Sequence, residues 1–137
     1  MDQIERFIRY VKVDTQSSPT STTAPSTMKQ LDLARLLVSD LKDLGVEDVV
    51  LTEQGIVYAF IEGNTDQSCP RVGLIAHMDT SPDMSGTNVK PRLISHYDGG
   101  TIVLNSDLNI TMDPKDFPSL AGVVGHDLIV TDGTTLL

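Results

Sequence analysis

The sequence predicts an α/β protein, because two helix-like patterns near its start are followed by several short apolar segments of strand length. Over residues 4–11, apolar side chains recur at spacings of three and four, which is typical of a helix with one buried face. A second helix with a stripe of leucines is expected over residues 27–44. Thr27 and Gln30 have the spacing of a capping box at its start. Gly45 suits the left-handed residue that follows a helix end.

The other predicted elements are strands separated by turn residues. Residues 49–52 and 56–61 form a predicted antiparallel hairpin, because only a short turn with a glycine separates them. Residues 72–76 carry no polar side chain, which is typical of a strand that is buried on both faces in a sheet covered by helices. Further short strands are expected over residues 92–97 and 101–104, joined by a turn, and over residues 128–131.

The composition limits the partners and the compartment of the protein. The chain of 137 residues is long enough for a moderate core, which must be mainly aliphatic because only 4% of the residues are aromatic. The net charge of -9 argues against nucleic-acid and membrane partners, since clustered Lys and Arg bind both. The sequence has no secretory signal pattern, no apolar stretch of membrane length and a single cysteine, Cys69, so we expect a cytoplasmic protein.

A histidine and an aspartate follow the apolar run 72–76 and form the candidate site. Side chains two positions apart on a strand point to the same face. His77 and Asp79 are therefore expected to face the same bound group if the extended backbone continues. Neutral imidazole is a good zinc ligand, and a nearby carboxylate can fix the tautomer of the ring. By spacing alone, however, a lone His-x-Asp pair is more typical of an ordinary polar loop after a strand.

The residues around this pair carry a resemblance to a known family. From His77 the chain reads His-Met-Asp-Thr-Ser-Pro-Asp, followed by Ser-Gly at 85–86, Asn-Val at 88–89 and Pro91. This stretch resembles the first metal motif of the peptidase T family, the tripeptide aminopeptidases among the M20-type dizinc metallopeptidases. Other segments resemble that family in the same order along the chain, at residues 14–17, 25–27, 97–100, 117–120 and 131–137.

The resemblance implies a fold and an extent for the chain. It implies an α/β fold in which a mixed sheet is flanked by helices, with residues 1–137 as the N-terminal portion of the catalytic domain. The family's lid domain, its glutamate base and its remaining metal ligands, which begin just after the position of Leu137, are not in the sequence. We therefore expect the isolated chain to be inactive and not to retain zinc. The resemblance also implies that residues 14–17 approach the active centre, while ordinary chemistry at the end of the first helix is an open alternative for them.

The resemblance implies a function and two site residues. The full-length enzyme is expected to bind two zinc ions and to release the N-terminal residue of tripeptides, with His77 as a metal ligand and Asp79 as the catalytic aspartate that supports it. The expected partner is a small peptide substrate. Whether the protein forms a homo-oligomer is left open by the sequence. Two alternatives also remain open: another M20-type hydrolase, such as an N-acyl amino-acid hydrolase or a carboxypeptidase, and a non-catalytic folding or binding module.

Four further residues are candidates with weaker roles. His96 and His126 are expected in loops or on the surface, because neither is spaced to complete a site with His77. Asp132 and Thr134 are expected to be structural or to support the site, since Asp-Gly at 132–133 is a common turn sequence.

Overall fold

The computed structural model describes residues 2–136, so Met1 and Leu137, the last residue of the predicted 131–137 motif, lie outside the described residues. The described chain contains two α-helices, six β-strands and one 3-10 helix, which confirms the α/β class. It divides into two compact units. The unit that contains the candidate site spans Thr15–Pro82, and the other comprises the described residues before and after it. No helix within residues 2–136 is both long and apolar enough to cross a bilayer.

The site-containing unit is built from one helix and one hairpin. Helix α2, Gln30–Asp43, packs against strands β1, Asp48–Leu51, and β2, Val57–Phe60, which pair antiparallel. The second predicted helix and the predicted hairpin are therefore confirmed. Gly45 and Gly55 both have positive φ, as a helix end and a tight turn require.

The predicted capping box at the start of α2 is wrong. The helix begins at Gln30, two residues later than the box requires, and its N-cap makes no side-chain hydrogen bond. Thr27 instead donates its hydroxyl to the carbonyl oxygen of Gln16, 2.8 Å away. The side chain of Gln30 donates to the hydroxyl of Ser26, 3.0 Å away. Both side chains thus hold the loop before the helix, because each donates a hydrogen bond to a loop residue instead of capping the helix.

The predicted strand over residues 72–76 is also wrong. The segment is not assigned to a strand, and Val72, Leu74 and Ile75 are between 83% and 100% exposed. A strand is defined by hydrogen bonds to a neighbouring strand, and none of the described strands lies beside this run. The mixed sheet expected from the resemblance is accordingly not formed by residues 2–136, whose strands pair two by two in three antiparallel sheets.

The other unit starts with helix α1, Gln3–Val11, which begins with a complete capping box of Asp2 and Glu5. The predicted helix is confirmed, but none of its nine residues is fully buried. The remaining elements follow in chain order: β3, Arg92–Ile94; β4, Ile102–Asn105; β5, Ile110–Met112; a 3-10 helix, Pro118–Val123; and β6, Leu128–Val130.

These strands pair in two separate sheets. The segments predicted as strand, turn and strand contain β3 and most of β4, and these two strands do not pair with each other. Instead β3 pairs with β6, and β4 pairs with β5, in both cases antiparallel. The small core of this unit is formed by the buried side chains of Tyr97, Ile102 and Leu120. Because Tyr97 donates its hydroxyl to the carbonyl oxygen of Gly100, its polar end is satisfied inside the core.

Candidate metal-binding site

His77 and Asp79 lie together at the end of the exposed run, as their spacing predicts. Nδ1 of His77 lies 2.8 Å from the backbone carbonyl oxygen of Asp79 and 3.1 Å from its carboxylate oxygen Oδ1. The side chain of His77 is 84% exposed and that of Asp79 is 44% exposed. The pair is therefore formed at the surface, with the far edge of the imidazole ring facing solvent.

The partners of Nδ1 determine which ring nitrogen can bind a metal. A carbonyl oxygen and a carboxylate oxygen can only accept hydrogen bonds, so both contacts of His77 require a proton on Nδ1. In the neutral ring this leaves the lone pair on Nε2. A histidine ligand in proteins commonly has this arrangement, with one nitrogen bonded to a carboxylate or a carbonyl and the other directed at the metal. The geometry thus leaves the lone pair of Nε2 on the side of the ring away from Asp79.

The residues after Asp79 are bonded to the loop between the two helices. Gln16 and Thr80 form an isolated parallel bridge. The amide of Thr80 donates to the carbonyl oxygen of Thr15, 3.2 Å away, and the carbonyl oxygen of Thr80 accepts from the amide of Ser17 at 2.9 Å. The side-chain amide of Gln16 donates to the carbonyl oxygen of Pro82 at 3.3 Å. These contacts place residues 15–17 next to the candidate site, as the family resemblance implies.

Among the described residues, His77 has the chemistry of a zinc ligand, but no complete set of ligands surrounds it. A catalytic zinc ion in proteins ordinarily has three protein ligands and one open position. Within residues 2–136, no group of three or more His, Cys, Asp or Glu side chains is placed to hold a metal ion. His77 therefore fits zinc as one member of a ligand set, and Asp79, which faces the ring of His77, fits the supporting position.

The other two histidines, His96 and His126, lie on the surface, as predicted. Nδ1 of His96 lies 3.7 Å from Oδ1 of Asp127, which is too long for a hydrogen bond, and the side chain of His96 is almost fully exposed. Asp127 instead accepts from the backbone amide of His96 at 2.8 Å. His126 is exposed and uses its backbone groups in the turn beside Tyr97. Their surroundings account for both residues without a ligand role.

Asp132 and Thr134 form a turn, which matches the structural role that the sequence predicts for them. The hydroxyl and the amide of Thr134 both donate to Oδ1 of Asp132. The ammonium group of Lys90 lies 3.4 Å from the other carboxylate oxygen. The bonds from the Thr134 side chain and backbone, followed by Lys90, hold the pKa of Asp132 below its ordinary value.

The comparison with known proteins agrees with the resemblance found in the sequence. No protein-family model matches the chain. Curated proteins named Peptidase T do match it: that of Geobacillus thermodenitrificans is 58% identical over 134 residues, that of Exiguobacterium sp. 55% and that of Clostridium acetobutylicum 52%. Each match covers 98% of this chain, which spans about a third of the length of these relatives. The resemblance to peptidase T is therefore confirmed over almost the whole of this chain.

Proposed function

We propose that this chain is the N-terminal portion of the catalytic domain of a zinc-dependent tripeptide aminopeptidase of the M20 type. The observation that carries the proposal is the match to proteins named Peptidase T, at 52% to 58% identity over 98% of the chain, which includes the His77–Asp79 pair. The geometry of that pair supports it, since a surface imidazole held through Nδ1 is suited to bind zinc through Nε2.

In this proposal the two residues have different roles. His77 is the zinc ligand, and Asp79 is the catalytic aspartate that fixes its tautomer. A zinc ion at such a site supplies Lewis-acid polarisation of the scissile carbonyl and activation of water. The further ligands, the second zinc site and the glutamate base belong to polypeptide outside this sequence, in keeping with relatives about three times as long. The isolated chain is then inactive and binds zinc weakly or not at all.

The proposal also covers the surroundings of the site. The exposed run 72–76 becomes a strand of the mixed sheet when the rest of the catalytic domain is present, which would bury its apolar side chains.

The substrate is a small peptide, and the compartment is the cytoplasm. Neither nucleic acid nor a membrane surface is a partner, because the net charge of -9 would repel polyanions.

The direct test uses the polypeptide encoded by the complete reading frame that contains these residues. Release of the N-terminal residue from a tripeptide is measured for the unmodified protein and for His77→Ala and His96→Ala. We expect activity that His77→Ala abolishes and His96→Ala leaves intact, since His96 is an exposed histidine outside the proposed site. Full activity of the His77→Ala protein would refute the ligand role. Tripeptide hydrolysis by the 137-residue chain alone would refute the expected need for further ligands.

A substrate panel separates the proposal from its alternatives. Tripeptides, N-acyl amino acids and dipeptides are offered to the same protein. Preference for acylated amino acids, or cleavage at the carboxyl end, would favour another hydrolase of the M20 type. A protein that cleaves none of them, and whose zinc affinity is unchanged by His77→Ala, would be a non-catalytic module.

The hydrogen bonds of His77 give a test on the isolated chain. Histidine labelled with ¹⁵N reports which ring nitrogen carries the proton, and the spectrum is read at a pH where the imidazole is neutral. We expect His77 to carry its proton on Nδ1, because two acceptors of Asp79 face that nitrogen. His96 is the internal control, since its Nδ1 lies 3.7 Å from the nearest carboxylate oxygen. Equal tautomer populations at the two histidines would contradict the geometry.

A further inference from the structure

Ser17 makes two hydrogen bonds to one atom beside the candidate site. The carbonyl oxygen of Thr80 accepts from the backbone amide of Ser17 at 2.9 Å and from its hydroxyl at 3.0 Å. A carbonyl oxygen has two lone pairs, so Ser17 satisfies the full accepting capacity of this group. Thr80 is the residue directly after Asp79. The peptide group between Thr80 and Ser81, one position beyond Asp79, is therefore held from outside the site.

The loop that carries Ser17 is itself tied to helix α2. The hydroxyl of Thr27 donates to the carbonyl oxygen of Gln16, and the hydroxyl of Ser26 accepts from the amide of Ser18 at 3.1 Å and from the side chain of Gln30 at 3.0 Å. Gln30 is the first residue of α2 and is buried. A continuous path of hydrogen bonds thus leads from the helix, through the loop, to the residue beside Asp79.

The opposite side of His77 provides no comparable support. Val72, Leu74 and Ile75 are almost fully exposed, so side-chain packing does not fix the chain that enters the site. On the side of Thr80, by contrast, Thr15 is only 2% exposed and its carbonyl oxygen accepts from the amide of Thr80. The position of the His77–Asp79 pair is consequently set mainly from the side of Ser17.

We infer that Ser17 is a positioning residue for the His77–Asp79 pair. Ser17 holds the carbonyl group of Thr80, and the carbonyl oxygen of Thr15 holds the amide of Thr80. With Thr80 held at both ends, the backbone of the neighbouring Asp79 is restricted, and the carbonyl and carboxylate oxygens of Asp79 hold Nδ1 of His77. Ser17 therefore controls the direction of Nε2 through the backbone beside Asp79. The role as a support for a metal ligand rests on the proposed function, whereas the contacts themselves do not.

The test uses three variants of the isolated chain. Ser17→Ala removes the hydroxyl bond and keeps the amide bond, and Ser17→Thr keeps both groups. Ser18→Ala is the matched control, since the neighbouring hydroxyl contacts Thr20 within the loop and not Thr80. The measurement is the ratio of the two neutral tautomers of His77, read from ¹⁵N spectra, with urea unfolding of each variant to verify equal folding.

We expect Ser17→Ala to lower the ratio of Nδ1–H to Nε2–H at His77 by up to about 10-fold, the largest effect that loss of one ordinary hydrogen bond allows. Ser17→Thr should restore the ratio, and Ser18→Ala should not change it. A ratio that Ser17→Ala leaves unchanged, or that Ser18→Ala lowers equally, would overturn the inference. Failure of the proposed function gives a different result, namely full tripeptidase activity of the longer protein after His77→Ala.

Discussion

Among the described glycines, Gly133 is the one whose substitution by alanine should destabilise this structure most. Its φ is +76°, a backbone conformation that disfavours any side chain, and a Cβ atom at this position would lie 2.7 Å from Cγ2 of Ile110. Because Cγ2 is attached directly to the branched Cβ of a residue in β5, it can move only if the side chain leaves its rotamer or the strand shifts. The substitution therefore combines backbone strain with a steric clash.

Two other glycines separate these contributions. Gly125 has a φ of +84° but nothing within 4 Å of an added Cβ, so Gly125→Ala isolates the backbone term, about 1 to 2 kcal/mol. Gly122 has neither feature, and Gly122→Ala should change the free energy of unfolding by less than about 0.5 kcal/mol. The clash at Gly133 adds about 1 to 3 kcal/mol, so Gly133→Ala should cost about 2 to 5 kcal/mol in total.

The assay is urea unfolding of the chain, in which the NMR signal of the Tyr97 ring reports the folded fraction. Tyr97 is buried in the core of the same unit, so it reports on that unit even if the two units unfold separately. We expect Gly122→Ala to be the most stable of the three variants, Gly125→Ala to be intermediate and Gly133→Ala to be the least stable. If Gly133→Ala is no less stable than Gly125→Ala, the close contact with Ile110 does not exist in solution and the reasoning is refuted.

Three other perturbations test separate parts of the structure. Thr134 lowers the pKa of Asp132 in the folded chain, so the stabilisation by this carboxylate is present above about pH 4 and is lost as the pH falls through the lowered folded-state pKa. Asp132→Asn should therefore lower the urea midpoint near neutral pH, and a gap that persists in strong acid would contradict this. Ala34→Leu should cost about 1 to 3 kcal/mol in the same measurement, because Ala34 is fully buried. Leu74→Lys should leave the free energy of unfolding within about 0.5 kcal/mol and reduce self-association in light scattering, since Leu74 is almost fully exposed in an apolar run.

The parts of the fold that the sequence predicts correctly are encoded locally. The apolar spacing over residues 4–11 and 27–44 specifies both helices, and glycines with positive φ close the end of α2 and the turn of the first hairpin. Each signal needs only residues a few positions apart. The same is true of the Asp132 turn, where side chain and backbone of Thr134 bond two residues back.

The parts that it does not predict depend on partners that are distant in the chain. Strand β3 pairs with β6, so that Arg92 lies opposite Val130, and a short turn between β3 and β4 gives no indication of this choice. The apolar run 72–76 has the composition of a buried strand, but its side chains remain exposed because no described strand lies beside it. Thr27 bonds to Gln16 across the loop, so its spacing to Gln30 predicts a cap that does not form.

The candidate site depends both on a local contact and on a contact between residues distant in the chain. The local contact brings the two side chains together, and the distant one sets the direction in which they face. The sequence predicts that His77 and Asp79 meet because their side chains would share one face of a strand, yet no strand is present there. They meet because Nδ1 of the ring reaches the carbonyl oxygen and the carboxylate of a residue only two positions away. The contact is thus local and does not depend on what pairs with the run 72–76. The direction in which the pair faces is not local, because it depends on Ser17, which is 63 positions from Thr80. Spacing can therefore identify the pair, but only the fold can show how it is supported.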